Sequence, residues 1–174
     1  VLSFRNANKT NAVSFLVLSN TYLIMSLLDT PSAATEINYW GCYSIYGTLD
    51  QLRANATNVQ VSYSLVSGAL TDLKAGLQYF RAENCTGITA ASIAHLVAIR
   101  DLRIYSMGWS SANVDTVLLS ASDAVWANAN NFSYASPLMQ IGGTNAAPGG
   151  SSGADTTDPM TTPGSGNSNT DWQW

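Results

Sequence analysis

The chain has 174 residues, 46% of them hydrophobic, and a mean hydropathy of +0.05, which is enough to bury a core in one domain with an appendage. Only 10% of the residues are charged, against roughly 25% in an ordinary soluble domain, so the polar surface is built largely from Ser, Thr, Asn, Ala and Gly. The net charge of −4 is uneven: all seven basic residues lie at or before Arg103, and no basic stripe exists to neutralise phosphates, which speaks against nucleic-acid binding.

The chain begins at Val1, with no starting Met and no basic-then-apolar leader, and reads as a processed or truncated start. Val1-Leu2-Ser3-Phe4 has the character of a strand, in a shortened first coil. From Val13 onward a pattern recurs with the spacing apolar-x-x-apolar-x-apolar-x-x-(Cys/Ser/Thr/Met). Its registers are Val13/Leu16/Leu18/Thr21, Ala34/Ile37/Tyr39/Cys42, Ala56/Val59/Val61/Ser64, Leu77/Phe80/Ala82/Cys85 and Ile99/Leu102/Ile104/Met107, with steps of 21, 22, 21 and 22 residues. Each copy begins with the alternation of a strand. A second apolar cluster follows: Leu27/Leu28, Leu49/Leu52, Leu70/Leu73, Ile93/Leu96 and Val114/Val117/Leu118. Apolar pairs at i and i+3 predict one short helical or 3₁₀ return segment per copy. Asp50, Asp72 and Ser92 stand near the starts of these segments, where small oxygen-bearing side chains are common.

The last return segment is longer. Ser111 to Leu119 continues at helical spacing through Val125 and Trp126, with Ser110 or Ser111 as N-cap, and predicts a helix of roughly four turns. Ser136-Pro137-Leu138-Met139-Gln140-Ile141 predicts a final edge strand, Pro137 being tolerated at its start. The composition then changes to Gly, Ser, Thr, Asn, Pro and Asp, that of a linker. The expected organisation is a solenoid over 1–109, a capping helix and edge strand over 110–143, and a linker or assembly tail over 144–174 that ends in Trp172 and Trp174. No uninterrupted apolar run of about 20 residues predicts a transmembrane helix.

Residues that could carry catalysis are sparse. His95, the single histidine, falls between Ile93 and Leu96 on a return segment and reads as a polar residue of the outer side. No H-E-x-x-H, P-loop or G-x-G-x-x-G pattern occurs, so no enzyme activity, cofactor or metal is expected. Cys42 and Cys85 hold the same repeat position two copies apart. Adjacent strands lie about 4.8 Å apart, so the pair should be about 9–10 Å apart, beyond the roughly 7 Å Cα separation that a disulfide tolerates. Two free, buried thiols are expected. Sequons at Asn8, Asn55, Asn84 and Asn131 are readily explained by the abundance of Asn, Ser and Thr.

Alternation also says which side chains leave the strand face. Position three of the copies is Phe15, Glu36, Asn58, Tyr79 and Asp101; position five is Val17, Asn38, Gln60, Arg81 and Arg103; position seven is Ser19, Trp40, Ser62, Glu83 and Tyr105. Aromatic and arginine side chains are enriched at binding hot spots. The expected contact set is therefore Phe15, Glu36, Asn38, Trp40, Asn58, Gln60, Tyr79, Arg81, Glu83, Asp101, Arg103 and Tyr105. The plain structural reading of the same face is a solvated sheet with cross-strand pairs such as Glu83 with Arg103.

The pattern resembles the leucine-rich repeat, L-x-x-L-x-L-x-x-N/C-x-L at 20–29 residues. That resemblance implies an α/β solenoid: a parallel β-sheet on one face, short helical or irregular return segments, and a C-terminal helix-plus-strand cap. Gly108-Trp109-Ser110 to Leu119, followed by Ile141-Gly142-Gly143-Thr144-Asn145-Ala146-Ala147-Pro148-Gly149, is similar to the end of such arrays in bacterial surface proteins and bacteriophage tail or virion proteins, with Gly149 in place of Ser. The eukaryotic type differs, because its Asn position is filled here by Thr, Cys, Ser, Cys and Met. The resemblance implies a non-catalytic module of attachment or display, on a virion or cell surface, that contacts a host protein or glycan. The alternative is a pure assembly protein whose strand edges and tail, with Trp172 and Trp174, contact neighbouring subunits in a homo-oligomer or larger particle.

Overall fold

A computed structural model of the chain describes residues 14–16, 24–123, 138–146 and 172–173. From Ser14 to Thr89 the chain alternates between two sheets. Strands β1 (Ser14–Leu16), β3 (Glu36–Asn38), β5 (Asn58–Gln60), β7 (Tyr79–Glu83), β9 (Asp101–Tyr105), β10 (Leu138–Gly142) and β11 (Trp172–Gln173) form the larger sheet in the order β1-β3-β5-β7-β9-β10-β11. All its pairings are parallel except that of β10 with β11. Strands β2 (Met25–Ser26), β4 (Ile45–Thr48), β6 (Leu65–Ala69) and β8 (Gly87–Thr89) form a parallel four-stranded sheet. Among the described residues helices are few, and the arrangement is α/β-like: two sheets, parallel but for the β10–β11 pairing, with 3₁₀ turns and one α-helix, α1 (Ser111–Asp123).

Apolar alternation sets the register of the larger sheet. Ile37 pairs with Val59, Val59 with Phe80, Phe80 with Leu102 and Leu102 with Met139, and each of these side chains is at most 1% exposed. A slip by one residue would turn every one of them toward water, at roughly 1.5–3 kcal/mol per large side chain. The smaller sheet adds Met25, Ile45, Val66 and Ile88 to the same continuous core. One registration differs from the sequence reading. Phe15, not Leu16, pairs with Ile37, so the first step is 22 residues.

Between β2 and β3, β4 and β5, and β6 and β7 lie the 3₁₀ turns Leu27–Asp29, Leu49–Gln51 and Leu70–Asp72. The same i→i+3 bond closes each: Thr30 N–H donates to the Leu27 carbonyl at 3.1 Å, Leu52 to Leu49 at 3.1 Å and Leu73 to Leu70 at 3.2 Å, and in the next segment Leu96 to Ile93 at 2.9 Å. The third turn residue reaches back to the N-terminal side. Asp29 accepts from Ser26 N–H (3.3 Å), Gln51 from Thr48 N–H (3.3 Å) and Asp72 from Ala69 N–H (3.0 Å). Asp72 thus caps its segment as expected, and Ser92 accepts from Ala94 N–H. Asp50 instead presents its carbonyl to Lys74. Leu28, assigned to an apolar cluster, is 47% exposed. Buried Thr30 takes the place of Leu52 and Leu73, its hydroxyl bonded to that of Tyr39 at 2.8 Å.

Successive turns are also tied by basic side chains. Arg53 Nε donates to the Thr30 carbonyl (2.9 Å), Lys74 Nζ to that of Asp50 (2.7 Å), and His95 Nε2 lies 2.9 Å from that of Leu73. Each satisfies a carbonyl that a short helical turn leaves without an intrahelical donor. His95 is half-buried in a structural bond.

Ser110 caps α1, accepting from Asn113 N–H at 3.4 Å, and Val114, Val117, Leu118 and Ala121 turn into the core. Val125, Trp126, Ser136 and Pro137 lie outside the described residues. The strand expected at the edge, β10, has β11 beyond it: Ile141 pairs with Trp172 and Gln140 with Gln173. Asn145, expected in a linker, is 6% exposed. Its carboxamide accepts from Met107 and Trp109 N–H (2.9 and 3.2 Å) and donates to the Ile104 carbonyl (3.2 Å).

Candidate functional site

The site lies where the strands of the larger sheet end. Gly41, Tyr63, Asn84, Ser106 and Gly143 all have positive φ, at 70°, 60°, 53°, 55° and 71°. Each of the first four donates its N–H one strand onward, to the carbonyl of Ser62, Glu83, Tyr105 and Gly142 respectively. The ladder therefore continues into a left-handed turn, and three ordinary residues carry a conformation unfavourable by about 1–2 kcal/mol each. Behind the turns, Ser64 and Cys85 point inward and donate to the Val61 carbonyl at 2.5 and 2.8 Å. Cys42 and Cys85 are buried and unbridged, with Ser64 on the intervening strand end, its Oγ 3.4 Å from the Cys85 sulfur. Burial raises the Cys85 thiol pKa, against the opposing effect of the Ser64 hydrogen bonds.

The expected contact residues do not form one uniformly exposed face. Glu36, Asn58 and Trp40 are exposed; Asn38, Gln60, Tyr79, Arg81, Glu83, Arg103 and Tyr105 are half-buried. Asp101 belongs to the interior at 8% exposed, and so does Ser62, a position-seven residue outside that set, at 2%. For Phe15 and Trp172 only the strand pairing is described, and Val17, Ser19 and Trp174 lie outside the described residues, as do Asn8 and Asn131. Asn55 and Asn84 are exposed.

Asp101 is covered because two guanidinium groups close over it. Arg81 Nη2 lies 3.0 Å from its carboxylate, and Arg103 binds it through Nε and Nη2 at 2.8 and 2.9 Å. This arrangement replaces the expected pair of Glu83 with Arg103. Glu83 accepts instead from the Tyr63 hydroxyl at 2.5 Å, and that bond, ahead of burial, raises the Tyr63 pKa. Tyr105 donates to the Gln140 carboxamide on β10. Every charged group here is held by a partner before any ligand arrives.

Large side chains around small ones leave a recess across β5, β7 and β9. It is lined by Gln60, Arg81, Glu83, Arg103 and Tyr105, with buried Ser62 and Ala82 at its base. On its β3 side the rings of Trp40 and Tyr63 meet edge to face, centroids 6.4 Å apart, and Tyr43 meets Tyr63 at 6.1 Å. Tyr43 and Tyr63 were missed by strand alternation, since they lie past the strand ends, where the left-handed turn redirects the chain. The row Gly41, Asn84 and Ser106, all turn-forming types, marks that boundary in the sequence.

Among the described residues no group of three or more His, Cys, Asp or Glu is placed to hold a metal, and no helix is long and apolar enough to cross a membrane. Comparison of the chain with protein-family models finds no match, and comparisons with curated proteins and with solved structures find none either.

Proposed function

We propose that the chain is a solenoid of the leucine-rich-repeat type that serves as a non-catalytic recognition module on a virion or bacterial surface, contacting its target through the strand face of the larger sheet. The solenoid reading is supported by the constant 21- or 22-residue register from β3 to β9, by the recurring left-handed strand end, and by the repeated 3₁₀ closure. The surface location rests on the resemblance of the Ile141–Gly149 exit and on the low charge.

One observation carries the recognition reading: Arg81, Glu83, Arg103 and Tyr105 line one recess with their polar groups already held by partners, and the rings of Trp40 and Tyr63 meet next to Glu83. Side chains fixed in advance lose less entropy on binding. A solvated face without a partner has no need of clustered aromatic rings.

The test is binding of the fluorescently labelled full chain to a panel of bacterial cells, with Trp40→Ala/Tyr105→Ala as comparison and sedimentation velocity as control. Recognition predicts that the double variant loses cell binding with its oligomeric state unchanged. Unchanged cell binding by the variant would overturn it. A second reading, subunit assembly, is favoured by Tyr46 and Leu65, which pair on adjacent strands of the smaller sheet and are 47% and 67% exposed. Concentration-dependent association abolished by Leu65→Ser would support that reading.

A further inference from the structure

We infer that the recess across β5, β7 and β9 is a binding site for a neutral saccharide, a specificity that rests on the recognition reading above. Charge is the first argument. The two cations at the recess, Arg81 and Arg103, are balanced by two anions, Asp101 and Glu83. A phosphate, sulfate or sialic acid would meet no surplus of positive charge, and an acidic or basic peptide would meet no field to match it.

Donor and acceptor placement is the second. A sugar presents vicinal hydroxyl groups, each able to donate and accept, on the rim of a ring whose C–H face is apolar. Asp101 engages one nitrogen of Arg81 and two of Arg103, which leaves further guanidinium N–H groups of each as donors. The carboxylate of Glu83, steadied by Tyr63, retains acceptor capacity. Gln60 supplies a carboxamide that offers both functions. The planar guanidinium and carboxylate groups, each held by a partner, suit paired hydroxyls, which a protein chain does not present in such density.

The aromatic rings are the third. Trp40 is 43% exposed and stands edge to face against Tyr63 beside the recess. Its ring gives an apolar surface for the C–H face of a second sugar unit. The small side chain of Ser62, buried between the strands that carry Trp40 and Glu83, makes the depression between them. The site therefore has two parts: a polar recess for one residue of an oligosaccharide and an aromatic shelf for the next.

The test uses the full chain, labelled with nitrogen-15, titrated with neutral hexasaccharides of glucose, mannose, galactose and N-acetylglucosamine. Sialyllactose, a sulfated disaccharide and an acidic peptide serve as comparisons. The expected result is saturable amide shifts at Gln60, Arg81 and Arg103 with at least one neutral probe, and binding at least about tenfold weaker for Arg81→Lys and for Glu83→Gln, since hydrogen bonds to charged groups contribute about 1.5–3 kcal/mol. Amide spectra of the variants check that they are folded. Absence of saturable shifts with every neutral probe at millimolar concentration, or tighter binding of an acidic probe, overturns the saccharide site. The recognition reading fails separately, through unchanged cell binding of the Trp40→Ala/Tyr105→Ala variant. Cell binding that survives periodate oxidation of vicinal diols but not protease treatment assigns the face to a protein partner and rejects the saccharide.

Discussion

Arg81 and Arg103 stand opposite each other on neighbouring parallel strands and hold one carboxylate between them, that of Asp101. Like charges directly opposite destabilise a sheet, so Asp101 makes the pair tolerable. Asp101→Ala is expected to destabilise the chain by about 1–3 kcal/mol, with a larger loss at low salt, where the exposed repulsion is less screened. Urea denaturation at two salt concentrations measures both. A loss independent of salt would mean that the carboxylate acts only through packing.

The basic side chains between turns form a second ladder. Lys74→Ala and His95→Ala should each cost about 0.5–1.5 kcal/mol, the net contribution of a hydrogen bond, because the Asp50 and Leu73 carbonyls lose their donors. His95→Gln, which keeps a side-chain N–H, should recover part of the loss. Equal stability of His95→Ala and wild type in a thermal or urea melt would remove His95 from the framework.

At Gly143 a side chain is barred twice. Its φ is +71°, and an added Cβ would come within 2.9 Å of the Ser106 backbone nitrogen. Gly143→Ala should therefore destabilise by more than the roughly 1–2 kcal/mol of a left-handed residue alone. Gly108→Ala provides the control, with φ +73° and open space around its Cβ. Comparable losses for the two in denaturant would show that contact with Ser106 is relieved cheaply.

Burial, against the opposing Thr30 hydrogen bond, lifts the Tyr39 hydroxyl pKa well above the ordinary tyrosine value. A folded-state value raised above the unfolded one means that the protonated hydroxyl contributes stability fully below about pH 10. That contribution is lost as pH rises through the folded-state value. Alkaline titration followed by tyrosinate absorbance should show one tyrosine released only with unfolding, and Tyr39→Phe should remove that late step.

The Cys85 thiol is held protonated by burial, and both thiols are inside. Since the thiolate is the reactive form, iodoacetamide should leave both cysteines unmodified in the folded chain and label both in urea, as read by mass. Fast labelling of Cys85 under native conditions would place it at the surface.

Much of the fold can be read from period alone. The positions assigned inward from Ala34 to Met107 are all buried, because the 21- or 22-residue spacing keeps the apolar positions of successive strands in register. The N-cap at Ser110 and the strand through Leu138–Ile141 follow from equally local signals, capping chemistry and alternation. The site was legible only in part. Alternation named Trp40, Arg81, Glu83, Arg103 and Tyr105 as a group, since their register depends on chain spacing alone. It placed Ser62 and Asp101 outside, because burial of a polar residue depends on which neighbours fold over it. In the same way the partner of Arg103, the aromatic contact of Trp40 with Tyr63, the enclosure of Asn145 and the placement of β11 beyond β10 were tertiary decisions. Each joins residues through side-chain reach or a left-handed turn, and neither leaves a period in the sequence.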